Sequence, residues 1–199
     1  MIRYGILAAS LGVLSLSATV PAPLEAQPQK PASVPGWRVD PARSRLTFAA
    51  AMNGQGFTGQ FRRWAANIRF DPAHLDASSV RVVVATGSAA TGDATRDEAL
   101  PTADWFAVAL FPQATFTSRR FTSLGGNRYR ADGDLRIRNV SRPVSIPFQL
   151  VIQGNAARMA GKVSIDRTAF GVGQGQFKGT DTVAAKVDVV ISITATKTP

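Results

Sequence analysis

"NRYRADGDLRIRN" at residues 127–139 and "PVSIPFQLVI" at 143–152 both alternate apolar and polar side chains. Tyr129, Ala131, Gly133, Leu135 and Ile137 share one face of the first stretch. Val144, Ile146, Phe148, Leu150 and Ile152 share one face of the second. A period of two marks a half-buried strand, because successive side chains point to opposite sides of the sheet. The arginines stand where such strands meet water: Arg128 and Arg130 flank Tyr129, Arg136 separates Leu135 from Ile137, and Arg69 separates Ile68 from Phe70. Their most direct role is a solvated outer face.

The same period runs through most of the chain. "SRLTFAAAM" (44–52) aligns Leu46, Phe48, Ala50 and Met52; "NIRFD" (67–71) aligns Ile68 and Phe70; "SSVRVVVAT" (78–86) aligns Val80, Val82 and Val84. "ARMAGKVSIDR" (157–167) and "TVAAKVDVVISITA" (182–195) repeat the pattern. In "GFTGQFRRWAANIRF" the apolar positions change phase, from Phe57, Gly59 and Phe61 to Trp64, Ala66, Ile68 and Phe70, which predicts a bulge near Arg62-Arg63. Turn-rich runs such as "DPAHLDAS", "SLGGNR" and "QGNAA" separate the strands. Seven or eight long antiparallel strands with one apolar face each, and no helices to cover them, predict an all-β barrel or sandwich. Only residues 92–106, "GDATRDEALPTADWF", break the period, and they predict a short helical segment that Pro101 stops.

The first residues bear on location. Arg3 precedes the uncharged apolar run "GILAASLGVLSLSATV" (5–20), which predicts a secretory signal peptide over 1–26. Residues 27–36 then read as a disordered leader to a single domain over 37–197. Export would place the domain in the periplasm. The net charge of +10 would suggest nucleic acid in a cytoplasmic protein. An exported one meets no nucleic acid, and an anionic membrane surface becomes the counterpart.

Catalytic equipment is sparse. The chain has one histidine and no cysteine, so metal sites built on His and Cys are excluded by count. His74 lies in the polar turn "DPAHLD" and reads as a surface residue. "FGVGQGQFKG" (170–179) fits neither phosphate-loop spacing and reads as a flexible hairpin connection. What the chain has in quantity is apolar strand surface with eleven Phe and three Trp, which is equipment for enclosing a hydrophobic ligand. Two rival readings are an enzyme acting on a bound lipid through Arg43, Tyr129 or the acidic cluster at 93–104, and a secreted interaction protein with a filled core.

Several segments in order resemble the YceI-like family of periplasmic proteins that bind polyisoprenoid and related lipids. These are R-D-x-x-L at 96–100, aromatic-Phe-x-Val at 105–108, Pro-x-Ala-Thr-Phe at 112–116 and Arg-Pro-Val at 142–144. The resemblance covers residues 37–195. It implies an extended eight-stranded antiparallel, lipocalin-like barrel holding a polyisoprenoid, an isoprenoid quinone or another long-chain lipid. It implies no cofactor and no catalysis, and it makes a membrane cytochrome of the b561 type a partner. The chain departs from the family pattern at Arg43 (usually histidine), Ala107 (usually aspartate) and Asn139, where asparagine tolerates a left-handed turn.

On this reading the ligand-contacting side chains point inward from the strands: Phe48 and Met52; Phe61, Trp64, Ile68 and Phe70; Val82 and Val84; Phe116; Leu135 and Ile137; Ile146 and Phe148. Leu100, Trp105 and Phe106 would join them from a cover formed by 92–106, held to the rim by Arg96 and Asp97. Phe170 would join from the glycine-rich run.

Overall fold

The computed structural model describes residues 34–198. The expected signal peptide and most of the expected leader lie outside them. The end of that leader does not behave as one. Val34 is buried, Arg69 Nη2 donates to its carbonyl at 2.9 Å, and Gly36 already belongs to a strand.

Eleven strands follow in chain order: β1 (Gly36–Val39), β2 (Arg45–Met52), β3 (Gln55–Phe61), β4 (Trp64–Arg69), β5 (Ser79–Ala85), β6 (Ala89–Ala90), β7 (Gln113–Ser123), β8 (Arg128–Ile137), β9 (Val140–Gln153), β10 (Ala156–Asp166) and β11 (Lys186–Lys197). The first six form three staves, because β1 runs on into β2, β3 into β4 and β5 into β6, each pair broken by a short irregular step. With β7 to β11 they make eight staves, each antiparallel to the next, and β11 closes the ring by pairing with β1 and β2. The result is a closed eight-stranded antiparallel barrel in which every stave is paired on both sides over part of its length.

The phase change at Arg62-Arg63 is present, but its cause is a bend between two strands and not a bulge within one. β3 pairs with β2, β4 pairs with β1, and Arg62 N turns to the carbonyl of Ser88 at 3.0 Å. A true bulge lies in β7, where the register to β8 slips between Ser118 and Arg120. That extra residue puts Phe116 and Phe121 on the same side although they differ in parity, and both are buried. It also hides this strand from a search for strict alternation. At the β8–β9 hairpin the left-handed residue is Arg138 (φ 55°), one position before the asparagine expected to need it.

The barrel has two unlike ends. One carries the connections after β4, β7 and β9, and inside it Phe70, Phe121, Tyr129 and Phe148 pack as an aromatic plug with centroid separations of 5.1–6.3 Å. Four of these contacts are edge-to-face and the fifth, Tyr129–Phe148, is stacked, geometries that favour one fixed arrangement. The other end is crossed by two long connections, 91–112 and 167–185. The first contains the helix α1 (Ala94–Ala99), which Asp93 caps by accepting from Arg96 N at 2.9 Å.

Candidate functional site

Between the plug and the two connections lies a cavity of ≈ 370 Å³ walled almost wholly by apolar side chains. That is within the range of small-molecule sites, which typically span about 300–1,000 Å³. The period-two pattern produces it directly, since all eight staves turn their apolar sides inward.

Sixteen of the seventeen side chains singled out from the sequence line this cavity. Phe48, Met52, Phe61, Trp64, Ile68 and Phe70 do so from β2 to the end of β4; Val82, Val84 and Phe116 from β5 and β7; Leu135, Ile137, Ile146 and Phe148 from β8 and β9; Leu100, Trp105 and Phe106 from the first connection. Phe170 does not. It is buried against Ala114, Ile137 and Val172 in a separate cluster. The ladder between β9 and β10 stops at the Phe148–Gly161 pair, and the 3-10 turn Thr168–Phe170 packs into the split beyond it. Pro143 and Pro147 lie where β9 is paired with β8 but not with β10, so one edge of this stretch has no ladder bond for a missing N–H to cost.

The sequence reading omitted the inward side of the last hairpin. Met159, Val163 and Ile165 of β10 and Val187, Val189 and Ile191 of β11 all line the cavity. Their alternation was legible. Continued by one step past Ile165 it reaches Arg167, which also points inward and is 3% exposed.

Arg167 organises the second connection. Its Nε donates to Ala184 O at 3.1 Å, Nη1 to Val172 O at 2.8 Å, and Nη2 to Gly179 O and Val183 O at 2.7 Å each. Burial pushes its pKa down, yet a guanidinium stays charged at any ordinary pH. Carbonyl dipoles and the Trp105 ring, 5.7 Å from the guanidinium carbon, replace the water it has lost. The run 170–179 is therefore a fixed part of the barrel end and not a flexible hairpin. Gly173, at φ +84°, lies so close to Nη1 that a β-carbon there would collide with it.

The two connections hold each other. The Trp105 and Phe177 rings are 5.1 Å apart, and Asp104 O accepts from Gly173 N and Gln174 N at 2.8 and 2.7 Å. Arg138, at the β8–β9 tip, bridges them by donating to Trp105 O at 2.9 Å and Gly171 O at 2.7 Å. Phe106 faces Phe61 of β3 at 6.0 Å. Arg96 holds the helical segment to the rim as expected, whereas the hydrogen bonds of Asp97 stay within the connection itself. The Arg96 guanidinium stacks over Phe57 at 4.6 Å, and Asp97 accepts from Thr91 N, Thr91 Oγ1 and Gly92 N. The Thr91 hydroxyl is the main reason its carboxyl titrates below the usual range.

The residues of the enzyme reading are not brought together. Arg43 is exposed and paired with Asp40 at 2.7 Å; Tyr129 belongs to the aromatic plug at the opposite end from Asp93 and Asp97. His74 is exposed beside Asp71. Among the described residues no three His, Cys, Asp or Glu side chains are placed to hold a metal ion.

Fold and cavity define a class: a small up-and-down β-barrel with an apolar interior and one end covered by fixed connections. The YceI-like domain family matches residues 37–195, and the chain belongs to that family. It is similar to protein YceI of Escherichia coli O157:H7, 35% identical over 49% of this chain and 50% of that relative. Its matches to UPF0312 proteins of Vibrio species span about three fifths of those relatives. Among solved structures it is similar to Burkholderia cenocepacia BcnA, with 31% identity, a TM-score of 0.76, and coverage of 79% of this chain and 99% of that one. A polyisoprenoid binding domain from Saccharophagus degradans, implicated in plant cell wall breakdown, shares the fold. It is 13% identical with a TM-score of 0.66, covering 81% of this chain and 98% of that one.

Proposed function

We propose that the protein binds a long-chain apolar lipid, an isoprenoid such as a quinone or polyprenyl lipid, inside the barrel and carries or stores it without chemical change. The observation that supports this most is the apolar cavity running between the two closed ends. A filled core would leave no such space, since protein interiors pack about as densely as organic crystals. The polyisoprenoid named for the Saccharophagus degradans neighbour agrees with the same reading. Burying about 20 ligand carbons at roughly 0.8 kcal/mol each would contribute about 16 kcal/mol gross. Ordering a flexible chain and restricting its overall motion removes much of this.

The dispersal of Arg43, Tyr129 and the acidic residues supports carriage over catalysis. The apolar run at 5–20 supports export to the periplasm, and the charge of +10 supports contact with anionic lipid. A membrane cytochrome of the b561 type is the protein partner we propose from family membership. The direct test is mass spectrometry of an organic extract of protein purified from its own host. An apolar chain lipid in near-stoichiometric amount is expected. Folded, homogeneous, lipid-free protein that takes up no added isoprenoid would defeat the proposal.

A further inference from the structure

The barrel wall is interrupted twice, and the two interruptions are treated differently. The split between β9 and β10 is filled by the turn carrying Phe170. The other lies between the first two staves. β1 holds β4 through Gly36–Arg69 and Trp37–Ile68, and the ladder resumes only at Thr47–Gln60 between β2 and β3. Residues 38–46 and 61–67 face each other across this seam without ladder pairing. A cleft of ≈ 480 Å³ opens there, with Arg38, Arg45, Gln60 and Arg62 among its lining. Phe61, Trp64 and Ala66 line both this cleft and the central cavity. The wall between the two is therefore side chains, and a lipid chain crossing it breaks no ladder bond.

We propose that this seam seats the phosphate head of the lipid whose chain occupies the barrel, an assignment that rests on the lipid-binding reading above. The central cavity is a poor place for a charged head. Its lining offers almost no polar surface, and its one deeply buried cation, Arg167, is engaged by four carbonyls. The helical end has Arg96, but that charge stacks on Phe57 and is balanced by Asp93 at 3.7 Å.

At the seam, Arg38, Arg45 and Arg62 have no ion-pair partner among the described residues. Two acids of this region are already engaged: Asp40 by Arg43, and Asp97, which feels Arg62 through space, by Thr91 and Gly92. Arg45 Nη1 is taken up by the carbonyls of Pro41, Ala42 and Ser44, which leaves Arg38 and Arg62 to carry the site. Guanidinium groups suit this ligand, because their planar fork matches phosphate oxygens and keeps its charge.

The test compares geranylgeranyl phosphate with geranylgeraniol, which share one chain and differ only in the head. It uses the full-length mature protein, the double variant Arg38→Gln/Arg62→Gln and the charge-keeping Arg38→Lys/Arg62→Lys. Arg45 is left alone because it holds the turn before β2. The native protein is expected to prefer the phosphate by about tenfold or more, the scale of one or two charge-assisted hydrogen bonds. The preference should shrink with added salt, vanish in the glutamine variant and persist in part in the lysine variant, while affinity for the alcohol stays level.

Equal affinity of the native protein for both lipids, or a preference intact in the glutamine variant, overturns the proposal while leaving lipid binding standing. Displacement of the phosphate lipid by inorganic phosphate alone also overturns it, by marking a free-anion site. Failure of either lipid to bind would defeat the lipid-binding reading itself.

Discussion

At the scale of single residues, Arg167 shows how a charge is kept inside an apolar wall. Four main-chain carbonyls depend on it, and all belong to the connection 167–185 that closes one barrel end. Arg167→Met would fill much of the same space but leave those carbonyls without a donor, each costing about 1–3 kcal/mol if it stays buried. The expected outcome is a stability loss of at least about 3 kcal/mol in urea unfolding, with proteolytic nicking appearing first between 168 and 185.

Asp188 is the opposite case, a surface carboxylate. Ser164, Lys162 and Lys186 hold its pKa down, to about 2. A carboxyl whose folded pKa lies below its unfolded value of about 3.9 stabilises the fold above that value, and the effect is lost as pH falls through the folded pKa. Thermal midpoints of the native protein should therefore drop between about pH 4 and pH 2, and Asp188→Asn should flatten part of that drop. A variant whose midpoint falls as steeply as the native one would show that the hairpin gains nothing from this group.

At the scale of elements, the cover over the helical end is made by two connections that interlock through Trp105, Phe177, Asp104 and Arg138. The variant Trp105→Ala/Phe106→Ala should leave the strands paired, because the ladders do not run through this segment. Its far-UV circular dichroism should match the native spectrum, and bound lipid should leave faster. Core aromatics behave otherwise: truncating one typically costs about 3–5 kcal/mol, so two would melt the domain. Global unfolding, or an unchanged off-rate in a folded variant, would contradict a covering role. The same elements show what alternation reveals and what it hides. Strict alternation made β2, β5, β8, β9, β10 and β11 legible, and the order of motifs made the closed barrel legible. β7 was hidden because its bulge at Arg119 breaks the period. The fixed connection 167–185 was hidden because its order comes from a buried guanidinium meeting distant carbonyls, which no local pattern records. Phe170 was misplaced for a related reason: the split it fills exists only once β9 and β10 have diverged in space.

At the scale of the whole molecule, the question is whether the space enclosed by eight staves is a binding channel or an imperfectly packed core, and the two respond with opposite signs to added bulk. Ile191 lies midway along β11, faces the cavity and pairs with Gly161, which has no side chain to obstruct a larger neighbour. Ile191→Trp in a packed core would force strained rotamers and cost about 1–3 kcal/mol. In an open channel the indole ring enters empty space and gains contacts, so the lipid-free variant should be as stable as the lipid-free native protein, or more so. Ligand-linked stability then moves the other way. A lipid that binds only the folded state adds about 2.7 kcal/mol at a free concentration one hundred times its Kd. The obstructed channel should lose most of that increment. Thermal midpoints of both proteins, with and without a saturating isoprenoid, give all four values. A stable variant whose midpoint no longer rises with lipid identifies the cavity as the binding space. A destabilised variant, or one that still responds fully to the ligand, would place lipid binding somewhere other than inside this barrel.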